Sequence, residues 1–115
     1  MFKALLFDLD DTLLINDMDA FSRSYFDALT AQMKPYISPE LFMTAITAGT
    51  RAMYHNDGNH GTNASVFEQV FFSIVYCDPQ VIMPVFESYY LHEFDDLRVH
   101  TQRDPASRRV IEWAF

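Results

Sequence analysis

Residues 5–14 read LLFDLDDTLL, and the reading of the fold turns on them: an apolar run ending at Phe7 is followed at once by Asp8, Asp10 and Asp11. Lys3 to Phe7 is apolar apart from the lysine and shows no alternation, the pattern of a strand covered on both faces. Such a strand predicts a place inside a parallel sheet. In an extended segment Asp8 and Asp10 fall on one side and Leu9 on the other. Two carboxylates sharing a small space cost free energy unless a cation lies between them or a proton is shared. Ligands bind at the carboxyl ends of strands in open parallel sheets, so the cluster is a candidate site.

Two other readings fit acids at this spacing. A calcium loop also places acids two apart, but Leu13 stands where its glycine must be and Asp19 where its bidentate glutamate must be. A plain turn, with Asp10 or Asp11 bonding backbone amides, needs only one acid of the three.

Composition sets the outer bounds. The 115 residues allow one domain at most, and 50% hydrophobic with 16% aromatic content describes a globular chain. The formal net charge of -8 argues against nucleic acid as a partner. An acidic protein that handles phosphates needs a cation. Cys77 is the single cysteine, which rules out an internal disulfide, and its apolar setting SIVYCDP reads as a buried thiol. The N-terminal apolar run is too short and too acidic for a signal peptide, and no 18-residue apolar stretch comes after it, so the expectation is a cytoplasmic, soluble protein without a membrane partner.

Downstream the chain reads as helical. Asn16 or Asp17 can cap a helix with Phe21, Tyr25, Leu29 and Met33 at helical spacing. Ser38 and Pro39 in ISPE start a second, which frays into the loop HNDGNHG. Ser65 and Glu68 fit a capping box opening a third. Asp78-Pro79 restarts the chain, and Pro84 should kink or interrupt any helix that begins there. Asp104 and Pro105 open a last helix. Asp95 and Asp96 read as a solvated face. The inventory is one strand and about five helices, an awkward set for a buried parallel strand.

FDLDDTLL resembles the first motif of the haloacid-dehalogenase-like hydrolase superfamily, in its phosphatase-type members, over residues 4–14. The resemblance implies an α/β fold: residues 1–15 as the first strand and catalytic loop of a Rossmann-like parallel sheet, 16–100 as a helical cap, and 101–115 as the return helix into a core that continues beyond the given chain. It implies that Asp8 is the nucleophile that forms an aspartyl-phosphate. Asp10 is implied as the general acid, and the Asp8 carboxylate and Asp10 backbone carbonyl as ligands of Mg²⁺. A small phosphorylated metabolite is the implied substrate. An acid at position 10 resembles the phosphatases and phosphomutases rather than the dehalogenases.

The superfamily's phosphate-binding Ser or Thr, its Lys and its further metal acids have no match here. Lys3 and Lys34 are the only lysines, and neither fits the required place. The expectation is therefore a mainly helical N-terminal portion, inactive alone, whose core is completed by the same or another chain. Arg51, His55 and His60 are candidates for substrate contacts, with an exposed polar loop as the plainer reading; His55 and His60 alone are weak support for zinc. A non-catalytic binding module is the alternative from another class. A phosphoacceptor signalling domain fits less well, because Asp57 follows no strand and no lysine follows Lys34.

Overall fold

The computed structural model describes residues 2–115. Its elements run β1 (Leu14–Asn16), α1 (Met18–Met33), α2 (Pro39–Tyr54), α3 (Asn63–Val75), α4 (Pro79–His92), a 3₁₀ segment (Phe94–His100), β2 (Thr101–Arg103) and α5 (Pro105–Ala114). The chain divides into two compact units, one of Met1–Phe26 with Glu93–Phe115 and one of Asp27–His92.

The expected α/β fold is corrected here. Among the described residues the one sheet is two-stranded and antiparallel, pairing Leu14 with Arg103, Ile15 with Gln102 and Asn16 with Thr101. No parallel Rossmann-like sheet forms among them, and Lys3 to Phe7 joins no strand. The physical reason lies in what an apolar strand needs: partners on both edges and cover on both faces. Lys3 to Phe7 has neither, and Leu6 is 98% exposed. Pairing goes instead to Leu14–Asn16, where the amide of Asp17 donating to His100 O at 2.9 Å and that of Asp104 donating to Leu13 O at 3.1 Å extend the contact beyond the ladder.

In the first unit, β1 and β2 bring residues near 15 and 102 together from opposite ends of the chain. The ring of Phe94 meets Phe21 and Tyr25 edge-on, at centroid distances of 6.3 and 6.5 Å. Asp17 caps α1, its Oδ1 accepting from the amide of Ala20 at 3.0 Å, which settles the choice between Asn16 and Asp17. Asp104 caps α5 in the same way, accepting from the amide of Ala106 at 2.7 Å.

The second unit is a helical bundle built on aromatic packing. Phe42, Phe71, Leu29, Met33 and Ile82 are all fully buried. Phe71 touches four rings at once, with Phe67 stacked at 5.4 Å and Phe42, Phe72 and Phe86 edge-on at 6.1, 5.1 and 5.6 Å. Helix α2 approaches α3 closely because Gly49 faces Phe67; a Cβ at Gly49 would lie 2.6 Å from Phe67 Cδ2. Ser38 caps α2 as expected, accepting from the amide of Leu41 at 3.3 Å.

Two local expectations need adjustment. Helix α3 starts at Asn63 and is capped by Thr62, whose Oγ1 accepts from the amide of Ser65 at 3.2 Å, so Ser65 lies inside the first turn instead of capping it. Of the two effects expected of Pro84, interruption does not occur: helix α4 runs from Pro79 to His92 through it. The proline removes one N–H, and the buried side chains of Ile82, Phe86 and Tyr89 hold the helix together on both sides of it.

Candidate functional site

The acidic stretch is a tight reversal and not the tip of a strand. Leu9 O accepts from the amides of Leu13 and Leu14 at 3.0 Å each and from that of Thr12 at 3.4 Å. To close the reversal, Asp11 takes a left-handed backbone with φ 55°. Aspartate reaches that region more readily than most side chains. Asp10 lies opposite Leu14 in an isolated parallel bridge.

Beyond the reversal, β1 returns Asn16 to the acids. Its Nδ2 donates to Oδ1 of Asp10 at 2.8 Å, and its backbone is held by pairing with Thr101. Asn16 Oδ1 is buried and has no partner among the described residues. An acceptor left that way costs about 1–3 kcal/mol, so the arrangement spends stability on holding Asp10. In the sequence Asn16 reads only as a possible helix cap. The sole signal of a further role is a polar residue placed in the apolar run LLINDM.

Asp8, Asp10 and Asp11 are all exposed. Asp8 has no hydrogen-bond or ion-pair partner among the described residues, whereas Asp10 is oriented by Asn16. Among the described residues no three His, Cys, Asp or Glu side chains gather to hold a metal. The donors that the resemblance assigns to Mg²⁺, one carboxylate and one carbonyl, are hard oxygens. They fit an ion that commonly takes one or two protein carboxylates and fills its other positions with water and substrate phosphate.

The reversal is tied to α5. Leu13 O accepts from Ser107 Oγ at 2.8 Å as well as from the amide of Asp104, and Ser107 is only 7% exposed. A groove of about 500 Å³ lies alongside, lined by Leu9, Leu13, Leu14, Arg103, Ser107 and Ile111 among others.

Arg51, His55, His60 and Cys77 belong to the second unit. Arg51 and His55 line an open groove of about 790 Å³ with Thr44, Thr47 and Ala48 on α2. His55 Nδ1 donates to Arg51 O at 2.9 Å, since a carbonyl can only accept. His60 sits 3.4 Å from Asp57 Oδ1 on the exposed loop, apart from His55's bond. Asp57 is held below the ordinary carboxyl range, first by the backbone amide of Asn59 and then by that residue's side chain. Cys77 is half-buried, with Sγ 3.4 Å from Val75 O. Asp95 is solvated and faces Arg98 at 3.5 Å.

Comparison of the chain with protein-family models, with curated proteins and with solved structures returns no match. Among the described residues no helix is long and apolar enough to cross a membrane.

Proposed function

We propose that this chain carries the nucleophile and the general acid of a Mg²⁺-dependent phosphoric monoester hydrolase acting on a small phosphorylated metabolite. The observation that carries the reading is the unequal treatment of two neighbouring acids: Asp8 is exposed and unpartnered among the described residues, and Asp10 is fixed by Asn16. A nucleophile needs a free carboxylate, and an acid that serves a leaving group needs a fixed direction. The resemblance of FDLDDTLL to the haloacid-dehalogenase-like phosphatases supports the same assignment.

In this reading the Asp8 carboxylate attacks phosphorus, the bond to the leaving oxygen breaks, and Asp10 gives that oxygen a proton. Asp10 then takes a proton from the water that attacks the aspartyl-phosphate, which releases inorganic phosphate and restores Asp8. The Asp8 carboxylate and the Asp10 carbonyl would hold Mg²⁺, which would offset the repulsion between a carboxylate and a phosphate. The phosphate-binding hydroxyl, the lysine and the further acids come from other residues of the same or another chain. The protein works in the cytoplasm, without nucleic acid or membrane.

The test is a titration of the purified protein with beryllium fluoride and Mg²⁺, monitored by ¹⁹F NMR. A bound signal that needs Mg²⁺ and vanishes in Asp8→Ala supports the reading; no bound signal, or one that survives in Asp8→Ala, contradicts it. A second reading, a non-catalytic binding module, is favoured by the exposed apolar side chains Phe2, Leu6 and Leu9 beside the acids. The same titration separates the two, since a partner surface has no need of Asp8.

A further inference from the structure

A small cleft of about 290 Å³ opens in the first unit between the two chain segments that the β1–β2 pairing joins, lined by Ile15, Asn16, Asp17, Val99, His100 and Gln102. Neither the resemblance nor the acidic reversal assigns it a role. It begins one side chain away from the proposed acid, because Asn16 both lines the cleft and donates to Asp10 Oδ1 at 2.8 Å.

From these positions we infer that the cleft is the leaving-group subsite of the proposed hydrolase and takes a neutral, polyhydroxylated moiety. The inference rests on the phosphatase reading of Asp8 and Asp10, and it adds the class of substrate.

Three features of the lining carry it. The cleft's size, at the small end for ligand sites, suits the residue of a small metabolite and not a nucleotide. Its polar groups include both donors and acceptors. Asp17 uses Oδ1 to cap α1, His100 shares a 2.9 Å hydrogen bond between Nε2 and Ser24 Oγ, and Gln102 has no side-chain partner among the described residues. Hydroxyl groups, which donate and accept, match such a mixed set. The third feature is charge: the lining holds the Asp17 carboxylate and no Lys or Arg. A leaving group carrying a carboxylate or a second phosphate meets repulsion there, with no Lys or Arg in the lining to offset it.

Asn16 adds a reason for coupling. It lines the cleft while its Nδ2 holds Asp10 Oδ1 at 2.8 Å, so a hydroxyl bound beside it meets the residue that orients the acid. Filling the cleft and orienting Asp10 then depend on one side chain.

The experiment compares two monoesters of similar size, glycerol 3-phosphate and 3-phosphoglycerate, with Mg²⁺ and the protein together with the residues that complete its site. The expected result is a kcat/KM at least tenfold higher for the neutral leaving group. Asp17→Asn, which keeps the cap because asparagine also caps helices well, narrows that ratio at least threefold. A ratio near one, a preference for the carboxylated ester, or a ratio that Asp17→Asn leaves unmoved overturns the proposal. Turnover of p-nitrophenyl phosphate reports separately on the phosphatase reading. If that activity is absent, a titration with xylitol monitored by NMR decides the subsite: movement of the Gln102 and Asn16 side-chain amides sustains it, and unmoved resonances overturn it.

Discussion

Ser107 Oγ donates to the carbonyl of Leu13 at 2.8 Å, joining the first turn of α5 to the far end of the acidic reversal across 94 positions of sequence. The same carbonyl accepts from the amide of Asp104 at 3.1 Å, so Ser107→Ala removes one of two bonds and leaves no carbonyl orphaned. The expected loss is about 0.5–1.5 kcal/mol, the ordinary net worth of one hydrogen bond. Urea unfolding, read as a shift in midpoint at unchanged slope, measures it.

Asp11 holds the reversal in a left-handed backbone with φ 55°. Asp11→Gly suits that conformation but frees the unfolded chain, and the two effects offset to within about 0.5 kcal/mol. Asp11→Val, β-branched at positive φ, costs about 1–2 kcal/mol. Thermal unfolding of the pair checks the contrast; equal stabilities contradict the role given to this backbone.

Gly49 and Phe71 test the aromatic bundle. A Cβ at Gly49 would sit 2.6 Å from the Phe67 ring, so Gly49→Ala must displace that ring or part α2 from α3, at about 1–3 kcal/mol. Phe71→Ala empties the centre of the cluster and costs about 3–5 kcal/mol. Circular dichroism melts of both variants give the order.

Asp57 makes a pH prediction. Its carboxyl is depressed by the Asn59 amide, so the bond steadies the loop above the ordinary carboxyl pKa and is lost as pH falls through the lower, folded value. The Asn59 amide proton, monitored by NMR, therefore titrates with a midpoint below that of an unperturbed aspartate. In Asp57→Asn that transition disappears.

What the sequence disclosed was local. Ser38-Pro39 and Asp104-Pro105 each carry a cap and a first helical residue within two positions, and both helices start there. Ser65-Glu68 misplaces the third start because Thr62, three residues earlier, also has a capping hydroxyl, and it accepts from the Ser65 amide. Lys3 to Phe7 shows the limit more sharply. An unbroken apolar run indicates what would suit a buried strand, but whether partners exist is decided elsewhere in the chain. In this fold the one ladder among the described residues forms between Leu14–Asn16 and Thr101–Arg103. The acids themselves were legible from composition and spacing. The Asn16 bond to Asp10 was not, because only the reversal through a left-handed Asp11 brings position 16 back to position 10.

Asp8 as a nucleophile toward phosphorus is the claim on which the proposed function stands. The most direct measurement is Mg²⁺-dependent hydrolysis of p-nitrophenyl phosphate by the protein together with the residues that complete its site, from the same or another chain, and by its Asp8→Asn variant in the same setting, with circular dichroism confirming that both fold alike. The predicted result is turnover in the first, lost at least a hundredfold in the second. Turnover that persists in a folded Asp8→Asn variant contradicts it.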